Sequence, residues 1–209
     1  MIKLIIFDQD GTLYERNNEL MLYTRKLTKE WIMKSLNLNE MEVEKIYEEL
    51  PKKFPNPYLG FISLGLKVED YMSEVFDKIS PENFLEFNPE IYNFFRENNI
   101  PKALVTFASP KYTEKLQKKL KIFDCYSKIV FGKDLKTYSK DEAYSEIMRI
   151  FNLKPDEVCV VGDDYENDIK TAQKLGCKTV WITKKSVVED ISSATCIEEF
   201  IDKKMIFNG

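Results

Sequence analysis

Short unbroken apolar runs alternate along the chain with longer segments in which apolar positions recur every three or four residues. The runs IKLIIF (2–7), PKALVT (101–106), SKIVF (127–131), EVCVVG (157–162) and KTVWIT (178–183) lack the in–out alternation of a strand with one wet face. They predict strands buried on both sides. Between them, residues 89–99, 110–121, 140–152 and 166–175 carry the helical period, and Gly176 stands where a helix C-cap is needed. Strands separated by helices predict parallel βαβ units, so the fold class is α/β with a doubly wound, Rossmann-like parallel sheet.

Residues 15–80 interrupt this rhythm, because no run there predicts a strand. Leu20, Tyr23, Leu27 and Trp31 fall at helical spacing, and Val43, Ile46, Tyr47 and Leu50 do so again behind an Asn39-x-x-Glu42 capping signal. PKKFPNPY (51–58) reads as a proline-rich break, 66–79 as a further helix, and the two prolines of SPENFLEFNPE (80–90) as the return. The predicted organisation is a core of residues 1–14 and 86–209, with an all-α module, 15–85, inserted after the first strand. Trp31, Trp181 and the other regularly spaced aromatics are expected to pack the interior.

Composition narrows the function. The 209 residues carry 31 Lys and Arg against 35 Asp and Glu, a net charge of −4. This mild acidity offers no basic surface for nucleic acid or membrane. MIKLIIF is too short for a signal peptide, and no stretch approaches a transmembrane span. Cys125, Cys159, Cys177 and Cys196 form no CxxC pair, which suits reduced thiols in a cytoplasmic protein. Histidine is absent, so a His base, a His metal ligand and a phosphohistidine are all excluded. Neither GxxxxGK[ST] nor GxGxxG occurs, which excludes a P-loop and a dinucleotide fingerprint.

Polar residues cluster where the predicted strands end, the edge at which open α/β sheets bind ligands. Asp8 and Asp10 follow the first strand in LIIFDQDGTLY, Thr106 ends the second in LVTFASP, Lys140 follows the third in TYSKDE, and Asp163 and Asp168 follow the fourth in VVGDDYENDI. Taken singly, an Asp there is a turn former or cap, and a Lys is a solvated surface group. Four such signals at successive junctions point to one shared site. Oxygen donors without His or Cys suit a hard cation, most simply Mg²⁺. A carboxylate kept ionised beside a cation and a lysine can attack phosphorus, and a second one can trade protons with the leaving oxygen and water. Ser109-Pro110 predicts one helix N-terminus at this edge. Ser139 with Glu142 predicts another through a capping box, with Lys140 in its first turn. Both termini would favour a bound phosphate.

FDQDGT, Thr106, Lys140 and GDDYEND, in this order along the whole chain, resemble the haloacid dehalogenase-like (HAD) superfamily of hydrolases. The helical insertion resembles the cap of that superfamily's first subfamily. The resemblance implies a Mg²⁺-dependent phosphatase acting on a small phosphorylated metabolite. It implies Asp8 as nucleophile, Asp10 as general acid/base, and Thr106 and Lys140 as phosphate binders. It implies Asp163 as a metal ligand together with Asp8 and the Asp10 backbone carbonyl, with Asp168 supporting the metal site. Phe107 stands where many relatives have Asn, Asp141 where many have Pro, and Asp164 where Ser is more usual; Lys133 and Lys136 are rivals of Lys140.

Asp10 argues against dehalogenation, which lacks the second acid. Phosphomutase members tend to use a cap histidine, and this chain has none. Receiver domains also gather Asp, Thr and Lys around Mg²⁺, but place the acidic pair and the phosphorylated Asp on different strands. A non-catalytic, phosphate-binding or regulatory HAD protein fits poorly with intact Asp8, Asp10, Lys140 and Asp163. FDQDGTLY and the segment 55–66 resemble pyrimidine 5′-nucleotidases of the family, which implies a nucleoside monophosphate; phosphoglycolate is an equal candidate. Arg16, in the loop 14–19, and Arg25 are either solvated or ion-paired cations or contacts for a second anionic group. Connections near 14–18 and 81–88 are the expected hinges.

Overall fold

The computed structural model describes residues 1–16, 18–185 and 192–203. Its centre is one sheet of six parallel strands: β1 (Leu4–Phe7), β2 (Lys102–Thr106), β3 (Tyr126–Phe131), β4 (Val158–Gly162), β5 (Lys178–Ile182) and β6 (Ser193–Ala194), in the order β3-β2-β1-β4-β5-β6. β1 pairs with β2 on one side and β4 on the other, so the direction of winding reverses beside it. This is the switch point where α/β sheets bind ligands.

Alternate residues of each strand serve two separate cores, because side chains of a strand point to opposite faces. Leu4, Ile6, Ala103, Val105, Val158 and Val160 pack with Ala143, Tyr144, Ile147 and Met148 of α7 (Lys140–Phe151) and Ala172 of α8 (Thr171–Lys174). Ile5, Phe7, Leu104, Cys159 and Val161 pack on the other face with α5 (Pro89–Glu97), α6 (Pro110–Lys119) and α9 (Ile197–Asp202). All five strand runs read from the sequence are present; four are shorter by one or two residues, and β3 begins one residue earlier, at Tyr126. The two-residue β6 was not foreseen, being too short for any period. The four cysteines are free, with Cys159 and Cys177 buried.

Between β1 and β2 the described chain is helical: α1 (Glu19–Leu36), α2 (Glu40–Lys53), α3 (Pro57–Ser63) and α4 (Val68–Glu74), then two 3₁₀ turns, Phe76–Lys78 and Pro81–Asn83. The Asn39–Glu42 capping box forms as expected. Pro51 lies inside the last turn of α2, so the break begins only at Phe54, whose N–H still closes on Leu50 at 2.9 Å. The helix expected at 66–79 is shorter and finishes as a 3₁₀ turn. The helix expected at 166–175 opens instead as a π turn, Tyr165–Lys170, in which the N–H groups of Asp168 and Ile169 both reach the Asp164 carbonyl. Gly176 ends it with φ +86°, and Cys177 N–H bonds back to Ala172.

The Ser139–Glu142 capping box does not form. Ser139 makes no side-chain cap bond, and the Glu142 carboxylate accepts instead from the N–H and hydroxyl of Thr137, at 3.3 and 3.1 Å. Two donors from one neighbour outcompete the single backbone N–H of a cap. Trp31 is buried as expected, whereas Trp181 is half-buried and donates to the Asp163 carbonyl at 3.0 Å. Among the described residues no helix is long and apolar enough to cross a membrane. Asn17, in the predicted loop 14–19 and hinge 14–18, lies outside the described residues, as do 186–191 and 204–209 of the predicted core segment.

Candidate active site

The apolar run of β1 carries Asp8 to the sheet edge and stops. Asp8 N–H is held by the Val161 carbonyl at 2.9 Å, which extends the sheet by one residue and fixes the Asp8 backbone. Thr12 donates to Asp8 Oδ2 at 3.0 Å, and Lys140 Nζ stands 2.6 Å from Asp8 Oδ1. The same Nζ is 2.6 Å from Asp168 Oδ1. Lys140 is only 3% exposed and Asp168 is fully buried, so each charge depends on its partners. Burial pulls the Lys140 ammonium down, but Asp168 and Asp8 outweigh it and hold the pKa well above the ordinary value. Burial pushes the Asp168 carboxyl up and Lys140 pulls it back; with the ammonium in contact we read it as ionised. Tyr144 OH and Asp164 N–H complete its shell at 3.3 and 3.1 Å. The π turn aims Asp168 inward beside Gly162, where a Cβ would collide with its carboxylate.

Asp163 directly follows β4. Burial and the Asp8 charge push its carboxyl up, against the pull of the Arg16 guanidinium, whose Nη1 is 3.0 Å from Oδ2. That contact lacks hydrogen-bond alignment, and Oδ2 is buried with no hydrogen-bond donor. Gly11, at φ +93°, leaves open the space beside this oxygen that any Cβ would occupy. Asp8, Asp163 and Asp168 bring carboxylate oxygens within 4.8 Å of one another. An all-oxygen donor set, a buried carboxylate oxygen that accepts no hydrogen bond and a glycine opening fit a hard divalent cation.

Asp10 points away from this trio. Its Oδ1 accepts from Tyr14 OH and, at 3.2 Å, from Tyr112 OH, and the two phenols lie 3.2 Å apart. Burial, opposed by the Tyr14 hydrogen bond and aided by the Asp8 charge, raises the Asp10 pKa to about 6. A carboxyl of that pKa changes protonation near neutrality, as a group that gives and takes protons must. Neither tyrosine was singled out in the sequence. Tyr14 lies one turn beyond Asp10, and Tyr112 lies in the first turn of α6, the helix that Ser109 caps by accepting from Tyr112 N–H at 3.2 Å. Those two positions were the available signal.

Thr106 ends β2, buried, with its Oγ1 accepting from Ala108 N–H at 3.0 Å and, among the described residues, donating to no acceptor. The structure thus brings Asp8, Asp10, Thr106, Lys140, Asp163 and Asp168 to one cavity of about 400 Å³, with Phe107, Asp164 and Asn167 beside them. Lys133 and Lys136 remain on the surface, Lys133 paired with Asp134. A larger surface hollow of about 570 Å³, at Lys3 and Asn98–Pro101, gathers no comparable set.

The helical segment roofs the cavity. Trp31, Phe61, Tyr71 and Phe76 form a chain of ring contacts at 4.6–5.2 Å, and Phe76 passes it on to Tyr112 at 5.1 Å. Polar ties join roof to floor. Tyr58 OH donates to the Phe107 carbonyl, Asn56 to the Tyr138 carbonyl at 2.9 Å, Asn167 to the Pro55 carbonyl at 2.6 Å, and Ser109 to Asp77 at 2.6 Å.

The parallel sheet carries a carboxylate pair at its switch point and a lysine that bridges two strand ends, and sequence comparison gives the chain its family. Residues 5–182 match the haloacid dehalogenase-like hydrolase family, and the chain belongs to it. It is 26% identical to the glyceraldehyde 3-phosphate phosphatase of Pyrococcus furiosus, over 86% of this chain and 80% of that one. Among solved structures, a HAD phosphatase from Thermococcus onnurineus superposes with a TM-score of 0.67 at 18% identity, covering 99% of this chain and 98% of the other. The HAD hydrolase YfnB of Bacillus subtilis, bound to magnesium, gives 0.62 at 14%, covering 100% and 99%. Likeness at these identities shows the fold.

Proposed function

We propose that the protein is a Mg²⁺-dependent phosphatase that hydrolyses a small phosphomonoester through an aspartyl-phosphate on Asp8. The observation that carries this reading is the Asp8 carboxylate itself. It is held by Lys140 and Thr12, stands beside an Asp163 oxygen that accepts no hydrogen bond, and faces the cavity two residues before a second carboxyl poised near pH 6. The similarity to a phosphatase of small phosphorylated substrates supports it.

In this mechanism an Asp8 oxygen attacks phosphorus, the phosphorus–ester oxygen bond breaks, and Asp10 gives its proton to the leaving oxygen. Asp10 then takes a proton from water as that water attacks the acyl phosphate, the bond from phosphorus to Asp8 breaks, and phosphate leaves. Lys140 and the Thr106 hydroxyl proton face the equatorial oxygens, whose charge they offset. Tyr14 and Tyr112 hold Asp10 on its leaving-group side. Asp8, Asp163 and the Asp10 carbonyl would hold the Mg²⁺, supported by Asp168; when bound, the ion supplies charge neutralisation at the phosphoryl group. The module 15–85 acts as a cap that excludes water, with hinges near 14–18 and 81–88.

Hydrolysis of p-nitrophenyl phosphate tests this. Phosphate release is expected with Mg²⁺ and is expected to vanish in EDTA. Equal release in both would overturn the metal assignment. Folded, Mg²⁺-binding protein that hydrolyses no compound in a panel of nucleotides, sugar phosphates and phosphoglycolate would turn the reading toward a mutase or a binding protein.

A further inference from the structure

The roof presents two guanidinium groups to the cavity, and only one of them is engaged. Arg16 meets Asp163, whereas Arg25, half-buried on α1, makes neither an ion pair nor a hydrogen bond among the described residues. Its neighbours on the same helix behave otherwise: Lys26 pairs with Glu30, Lys29 with Glu44 and Lys34 with Glu74. Among the described residues, every acid that lines the cavity belongs to the floor. The Thr24 and Thr28 hydroxyls beside Arg25 are already spent, donating to the Leu20 and Thr24 carbonyls at 2.9 and 2.8 Å. Tyr47, across from α1, has a hydroxyl with no hydrogen-bond partner among the described residues and lies in the field of Arg25, Lys29 and Arg16. Burial raises its pKa, so it stays a neutral donor.

A half-buried guanidinium without a protein partner keeps its donors available to an incoming anion. A guanidinium suits planar oxyanions, which it binds through two parallel hydrogen bonds. With the phosphoryl group placed against Lys140 and Thr106, Arg25 lies on the wall left for the rest of the substrate. Resting on the phosphatase reading, we propose that Arg25, with the Tyr47 hydroxyl, binds a second anionic group of the substrate, a carboxylate or a second phosphate. The enzyme then selects small metabolites anionic at both ends over those with a neutral distal end.

The test uses pairs that differ only at that end. 3-Phosphoglycerate and glyceraldehyde 3-phosphate contrast carboxylate with aldehyde; fructose 1,6-bisphosphate and fructose 6-phosphate contrast a second phosphate with a hydroxyl. The wild-type enzyme is expected to favour the doubly anionic member of at least one pair by about tenfold or more in kcat/KM, and the favoured pair identifies which anion is read. Arg25→Gln is expected to erase most of that preference through KM, and Arg25→Lys to keep part of it. Equal or reversed preference in both pairs would overturn the inference, a result that needs no variant to fold. If phosphate release is nil throughout, calorimetric binding of the same pairs to the wild-type protein decides. A retained preference for the doubly anionic member would then sink the phosphatase reading alone, and equal binding would overturn the inference.

Discussion

The floor of the cavity concentrates carboxylates and one lysine at the ends of parallel strands, whereas the roof supplies aromatic rings, threonines and two arginines from helices and turns. At the floor's centre three buried charges hold one another across strand ends: Lys140 from beyond β3 meets Asp8 from β1 and Asp168 from beyond β4. The roof's rings instead hold one another. The contrast separates two tasks. Groups that carry charge through a reaction need fixed neighbours, which a sheet edge backed by two cores provides. A surface that admits and recognises a substrate needs shape and a few donors, which packed helices provide and can alter without disturbing the sheet.

Substitutions should divide along that line. The largest effect is expected for Asp8→Asn, which keeps shape and relieves repulsion with Asp163, so the protein stays folded. Turnover should fall by about 10³-fold or more, the loss of a nucleophile. Near-normal turnover would break the assignment of the chemistry to the floor. In the roof, Trp31→Ala removes a ring that is 5% exposed and touches Phe61 and Tyr71. Denaturant unfolding should show a loss of about 3–5 kcal/mol. A much smaller loss would mean the aromatic chain is not what holds the roof.

The smallest effect concerns protons. Asp10 has a carboxyl pKa of about 6 in the fold, against 3.8 when unperturbed. The folded protein therefore holds a proton that the unfolded chain releases first. This contribution is fully present below about pH 4, declines as pH rises through 6, and is absent above. Asp10→Asn carries no such dependence. In metal-free buffer its stability relative to wild type should rise by about 1–2 kcal/mol between pH 4 and 8, less than the full shift because Asp10 is only half-buried. A difference between the two proteins that stays flat with pH would show that Asp10 titrates normally and sharpen the search for the proton donor.

Much of the fold was legible because buried parallel strands leave a signal that survives in one dimension, namely runs such as LIIF and VCVVG. The identity of the polar residues after them was legible for the same reason, since a strand that ends at a site must change character abruptly. Lys140 shows where this reading stopped short. Its place at a helix start was inferred from a cap that does not form, and what selects it over Lys133 and Lys136 is burial between two carboxylates 132 and 28 residues away in the chain. The same holds for Tyr112, which meets Asp10 across 102 residues, and for Tyr58, whose hydroxyl ties the roof to Phe107.

The chain by itself determined the α/β alternation, the helical insertion and the six polar residues at the strand ends, because periodicity and abrupt polarity changes are local properties. Only the tertiary structure decided which charges meet, that Asp163 keeps an oxygen without a hydrogen bond, that two phenols grip Asp10, and that Arg25 has no partner among the described residues. Each of these depends on distances between segments far apart in sequence, and such distances arise only when both faces of the sheet are packed.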